Sequence, residues 1–145
     1  MVVILLNHVR KYKALIGIDA FYNCSSLENV IILGNLTAIG NGAFMNCSNL
    51  ETVIYRGISE PLDGGSVFYD TKIKAILVSE EYDDIKFCNL IAAKSSGKCG
   101  DKLEYNIESE LLSITGNGEM NDYSYSKPPT WFYYYKFIKN NCIIS

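Results

Sequence analysis

The feature that most constrains the fold is an internal repeat. The segment IGIDAFYNCSSLENVIILGN (Ile16–Asn35) realigns on IGNGAFMNCSNLETVIYRGI (Ile39–Ile58) with every residue displaced by 23, and ten positions are identical. They pair as Ile16 with Ile39, Gly17 with Gly40, Ala20 with Ala43, Phe21 with Phe44, Asn23 with Asn46, Cys24 with Cys47, Ser25 with Ser48, Leu27 with Leu50, Glu28 with Glu51 and Val30 with Val53. A third, degenerate copy follows: Phe68 takes the Phe44 place after 24 residues, and Ile73, Ile76 and Val78 take those of Leu50, Val53 and Tyr55 after 23. Pro61 and Gly64-Gly65 are expected to make the stretch between Gly57 and Val67 bulge as a loop. A weaker copy with Val2, Val3 and Ile4 as its strand can precede the two good ones. A fixed period of this kind implies stacked coils, each burying its neighbour's apolar face.

Each coil is expected to supply one short strand, near 29–33, 52–56 and 75–79, lying parallel to the next at about 4.8 Å. Equivalent side chains then form columns. Phe21, Phe44 and Phe68 make an aromatic spine, while Ile16 with Ile39, Leu27 with Leu50 and Ile73, and Val30 with Val53 and Ile76 fill the coil interior. The period falls within the roughly 20–29 residues of leucine-rich repeats, and Leu27, Val30, Ile32 and Asn35 sit on the pattern L-x-x-L-x-L-x-x-N. The second copy lacks that Asn.

The two copies, read together as IG-x-x-AF-x-NC-S-x-L-E-x-V, resemble the BspA-like leucine-rich repeat family. The usual Pro after the strand is Leu33 in one copy and Arg56 in the other. Val67–Cys88 is similar to the closing coil of such arrays, and Cys99–Ser124 resembles the small β module found between repeat blocks. Pro129, Trp131, Ile138 and Lys139 echo the continuation of that module, and the stop at Ser145 suggests a short or truncated member. The resemblance spans roughly residues 16–139. It implies a non-enzymatic binding or adhesion module acting at cell surfaces through protein contacts.

The residues themselves organise the C-terminal third. Leu103, Tyr105 and Ile107 alternate, Glu108–Glu110 turn, and Leu112 and Ile114 alternate again, which predicts a hairpin ended by Gly116-Asn117-Gly118. Ser79–Cys88 reads as one short helix with Glu80, Glu81, Asp83 and Asp84 at its N-terminal end. AKSSGKCGD has linker composition. The expected fold class is therefore an α/β-type leucine-rich repeat solenoid, with short parallel strands and few helices, followed by a small antiparallel β module. Its expected parts are a solenoid over 1–90 (good coils 16–58, a degenerate coil 59–88, a degenerate N-terminal coil 1–15), a linker over 91–100 and a hairpin module over 101–145.

Composition narrows the functions. Apolar residues make up 48% of the 145, which excludes disorder, and a chain this long buries roughly two thirds of its unfolded surface without a disulfide lattice or metal. A net charge of −3 lacks the basic footprint of nucleic-acid binding. The apolar run Val2–Leu6 is far short of the roughly 20 residues that cross a bilayer. Arg10, Lys11 and Lys13 follow that run instead of preceding it, so it is a poor signal peptide, and localisation cannot be read from it.

Catalytic and metal chemistry find little to rest on. His8 is the single histidine, and no nucleophile motif accompanies it. Cys24, Cys47, Cys88, Cys99 and Cys142 contain no C-x-x-C pair, so neither a metal nor a cofactor is expected. Cys24 and Cys47 share a coil position and read as buried, reduced thiols. Cys88 and Cys99 flank the linker and could close a disulfide in an oxidising compartment, leaving Cys142 over. Gly40-Asn41-Gly42 and Gly116-Asn117-Gly118 read as turns, since neither continues into a phosphate-binding loop. The sequons at Asn23, Asn35 and Asn46 read first as turn hydrogen-bonders.

What remains is surface. Alternation that turns Val30, Val53 and Ile76 inward turns Asn29, Thr52 and Ala75, together with Ile31, Ile54 and Leu77, outward. With Arg56 beside it, this face (Asn29, Ile31, Thr52, Ile54, Arg56, Leu77) is the candidate partner-binding site, an apolar stripe of the kind that marks docking. The competing reading has the C-terminal module, with Trp131, Phe132, Tyr133, Tyr134 and Tyr135, fold over it. The aromatic tail after Lys127-Pro128-Pro129 reads as core packing or as a recognition patch. A protein partner, at a host or cell surface, is the leading expectation; an intracellular repeat scaffold or a truncated repeat fragment without independent activity is the alternative.

Overall fold

The computed structural model describes residues 2–4, 14–108, 111–124, 126–129, 131–132 and 142–144. His8, Ser109, Glu110, Tyr133, Tyr134, Tyr135, Ile138 and Lys139 lie outside the described residues, as does the side chain of Cys142. The chain divides into two compact units, Met1–Ala92 and Ala93–Ser145.

The strands that begin in the first unit are β1 (Val2–Ile4), β2 (Leu15–Ile16), β3 (Asn29–Ile32), β4 (Ala38–Ile39), β5 (Thr52–Tyr55), β6 (Leu62–Asp63), β7 (Ala75–Val78), β8 (Lys86–Phe87) and β9 (Leu90–Lys94). They form a six-stranded sheet in the order β1-β3-β5-β7-β9-β8 and a three-stranded sheet β2-β4-β6. The repeat sets the register: β3 and β5 run parallel with Val30 opposite Val53 and Ile31 opposite Ile54, and β5 and β7 put Ile54 opposite Leu77. Each is the 23-residue step of the sequence. The weak N-terminal strand also takes its place, Val2–Ile4 pairing parallel with Val30–Ile32.

The columns fill the interior. Val30, Val53, Ile76, Phe44, Leu50 and Ile39 are all 0% exposed. The rings of Phe21 and Phe44 stack 5.0 Å apart at 3°, and those of Phe44 and Phe68 lie 5.5 Å apart at 11°. Opposite the strands the chain makes turns, and no α-helix occurs among the described residues. The reason lies in the backbone amides, which alternate between the coil's own carbonyls and the next coil's. Tyr22 N donates to Asp19 O and Met45 N to Gly42 O, while Phe21 N donates to Ala43 O and Phe44 N to Val67 O. A helix would turn all of them inward on its own axis.

This close stacking needs glycine. A Cβ on Gly40 would overlap the Ile18 backbone, and one on Gly64 would overlap that of Asn41, whereas Gly17 has open space. The Asn of the repeat is equally constrained. Asn23 and Asn46 hold φ of 59° and 60°, and Asp70 in the third coil holds 55°. This left-handed region is one that Asn and Asp enter far more readily than other side chains.

Several expectations are corrected. The stretch before Val67 does not bulge: Leu62–Asp63 is a strand, pairing with Ala38–Ile39 at a displacement of 24, so the third coil is one residue longer at that point. Ser79–Cys88 is no helix. Glu80-Glu81 turn, Asp84 Oδ1 accepts from the amides of Ile85 and Lys86, and β8 follows. Tyr82, 2% exposed, decides it by inserting edge-on against Tyr55 at 5.9 Å and donating to Lys86 O at 2.7 Å. β8 and β9 then form a hairpin through Cys88-Asn89, both at positive φ as a two-residue turn of the I′ kind requires. Glu60 accepts from the Cys88 amide and Asp63 from the Asn89 side chain, anchoring that turn on the third coil.

In the second unit β10 (Ser96–Lys98), β11 (Leu103–Glu108), β12 (Leu111–Gly116) and β13 (Cys142–Ile144) form one sheet in that order. β11 and β12 are the expected hairpin, antiparallel from Leu103 opposite Gly116 to Glu108 opposite Leu111. The core alternates as read, with Leu103, Tyr105, Ile107, Leu112 and Ile114 buried. Trp131 packs against Tyr105 at 4.8 Å and Tyr123 at 5.5 Å, so the described start of the aromatic tail is packed within this unit. The stretch read as a linker, 91–100, is structured: it holds the end of β9 and all of β10, with Ala93, Ser95 and Cys99 buried. Its small polar residues suit tight strand pairing, as where Gly97 faces the Tyr105 ring.

Candidate functional site

The candidate face rises from strand alternation. In β3, Val30 and Ile32 are fully buried while Asn29 and Ile31 are half-buried; in β5, Val53 and Tyr55 are buried and Ile54 is half-buried. Tyr55 fixes the inward side: its hydroxyl accepts from Leu36 N at 3.1 Å and donates to Ser59 O at 3.1 Å. Register makes Ile31, Ile54 and Leu77 direct neighbours in one column.

Accessibility along the column is uneven. Leu77 is 1% exposed, Ala75 4% and Thr52 6%. Thr52 and Leu77 are therefore corrected from surface to buried positions. What stays accessible is the β3–β5 end: Asn29, Ile31 and Ile54 are half-buried, and Arg56 and Leu33 are exposed. Glu28 and Glu51 border it at the strand starts, Glu51 pairing with Lys72 Nζ at 3.5 Å.

Two further apolar columns were not singled out from the sequence. On the outer side of the three-stranded sheet, Leu15 and Leu62 flank Ala38, and on the turns Tyr22 and Tyr69 flank Met45. Leu62 and Tyr69 are prominently exposed. The signal was present: these residues sit one place from the interior Ile16, Ile39, Phe21 and Phe44, so they must face the other way.

The equivalent thiols of the two good coils differ in exposure. Cys47 is buried and its Sγ donates to Phe21 O at 3.0 Å, but Cys24, its equivalent, is exposed. Cys47 lies between two coils, and Cys24 has a described coil on one side only. Cys88 and Cys99 are both buried, free thiols. Burial, reinforced by the charges of Asp63 and Glu60, pushes the Cys88 thiol up to about 12, and burial likewise raises Cys47 and Cys99. Such thiols are poor nucleophiles at neutral pH. Among the described residues no three His, Cys, Asp or Glu side chains come together to hold a metal ion. The sequon asparagines serve the turns: Asn35 Oδ1 accepts from Ile58 N at 2.8 Å, and Asn46 Nδ2 donates to the Tyr22 hydroxyl. No described helix is long and apolar enough to cross a membrane.

Comparison with known proteins agrees with this geometry. The family model described as a BspA type leucine rich repeat region (6 copies) matches residues 13–89. No curated protein and no solved structure gives a match. That span is more than half of the 145 residues and coincides with the coils whose side chains stack in columns, so the chain belongs to the BspA-type leucine-rich repeat family.

Proposed function

We propose that this chain is a non-enzymatic protein-binding module of adhesion type, and that it engages its partner through the accessible end of the β3–β5 face. The observation that carries the reading is that Ile31 and Ile54 sit side by side on the outer face of a parallel sheet, partly open to solvent, with Leu33 exposed beyond them. Leucine-rich repeats generally act through protein contacts and are typically non-catalytic. Asn29 and Arg56 supply polar contacts beside the apolar pair, an arrangement suited to a patch with an apolar centre and polar rim.

The cell surface is the proposed site of action. Labelling intact, unpermeabilised cells with a membrane-impermeant reagent tests it, and labelling only after permeabilisation favours the intracellular scaffold. The binding face is tested by Ile54→Glu. The variant is expected to melt close to the parent and to lose capture of surface proteins from the labelled cells; undiminished capture assigns binding elsewhere.

A further inference from the structure

The chain contains the tripeptide Gly-Asn-Gly twice, at residues 40–42 and 116–118, and the fold places the two in opposite environments. An Asn-Gly pair is chemically special, because glycine leaves the following amide nitrogen unhindered for attack on the asparagine side chain. Identical flanking residues give both sites the same intrinsic reactivity. Any difference must come from structure.

At the first site every participating atom is held. Asn41 Nδ2 donates to Gly64 O at 3.0 Å, Asn41 O accepts from Asp19 N at 3.0 Å, and Gly42 N, the attacking atom, donates to Gly65 O at 3.1 Å. Gly42 is buried. Cyclisation there must break two hydrogen bonds and pull the turn off the adjacent coil. At the second site, among the described residues, only the Asn117 backbone amide is tied, donating to Lys102 O at 3.2 Å. Asn117 and Gly118 are exposed, and no acceptor among the described residues takes the Gly118 amide.

We infer that Asn117 is a site of spontaneous deamidation in the folded protein and that Asn41 is protected. Gly118 N attacks Asn117 Cγ, the new N–C bond forms as ammonia leaves with the transferred proton, and a cyclic succinimide results. Water then opens either carbonyl, giving aspartate or isoaspartate; nothing is oxidised or reduced. The isoaspartyl product adds a methylene to the main chain directly after Gly116, where β12 closes against Lys102. It also adds a negative charge to an acidic chain. The conversion would loosen the open end of the β11–β12 hairpin with age.

The test is incubation of the purified full chain at mildly alkaline pH, below its melting temperature, followed by peptide mapping by mass spectrometry and by methyl labelling with an isoaspartyl carboxyl methyltransferase. Holding two hydrogen bonds at Asn41 predicts conversion there slower than at Asn117 by roughly tenfold or more. In urea, with both tripeptides unfolded, the two are expected to convert at similar rates. Asn117→Gln, which changes no described contact, is expected to remove most of the native-state label with the melting curve unmoved. The inference is overturned if Asn41 keeps pace with Asn117 in the folded protein, if Asn117 is as slow as Asn41, or if Asn117→Gln leaves the label in place.

Discussion

The coils 16–38 and 39–61 share ten residues in register, yet the same side chains live in different surroundings. Phe44 is fully buried between two stacked rings and Phe21 is half-buried with one; Cys47 is fully buried and Cys24 exposed; Gly40 is pressed against a backbone and Gly17 faces open space. In a solenoid, burial is conferred by neighbours. A repeat unit specifies what it offers to the stack, and its position decides what that offer is worth.

Substitutions at paired positions break or sharpen the contrast. Phe44→Ala removes the middle of the spine and is expected to cost about 3–5 kcal/mol, whereas Phe21→Ala is expected to cost about 1–2 kcal/mol, measured by urea unfolding. Equal losses would mean that the first coil is covered as fully as the second. Gly40→Ala forces the coils apart and is expected to cost about 3 kcal/mol; Gly17→Ala should fall within about 0.5 kcal/mol of the parent.

The thiols give a smaller, chemical version of the same contrast. In the native protein Cys24 should react with a disulfide reagent at once, while Cys47, Cys88 and Cys99 should react only on unfolding. Because burial raises these three thiols, the unfolded chain loses thiol protons at lower pH than the folded one. Their contribution to stability is then complete below about pH 8.5 and declines as pH rises from there through about 12, where Cys88 itself titrates. The urea midpoint should fall over that window, and Cys88→Ala should flatten the decline. Along the outer column, Leu77→Glu should abolish cooperative unfolding, because it buries an unpaired charge, while Ile54→Glu should shift stability by about 1 kcal/mol or less.

Much of this molecule was legible in its residues. The strand positions, the Phe21–Phe44–Phe68 spine, the inward columns and the β11–β12 hairpin follow from period and alternation, because those are short-range regularities that every copy restates. The final coil was not legible. Four carboxylates between Glu80 and Asp84 suggest a helix start, but Tyr82 found an aromatic pocket made by Tyr55 and Phe87, residues far away in sequence or hidden by a turn. The small polar residues of 91–100 imitate a linker because strand pairing there depends on partners that composition does not reveal.

The candidate face was half legible, and for the same reason. Alternation placed Ile31, Ile54 and Leu77 on one outer column. That Leu77 and Thr52 are buried while Ile31 remains partly open was decided by what packs over each position. The sequence by itself determined the period, the inward and outward sides and the family, since each is written into every repeat. Only the tertiary structure decided which copies are enclosed, which thiols are reachable and which Gly-Asn-Gly turn is locked, because enclosure depends on contacts between residues that the chain order keeps apart.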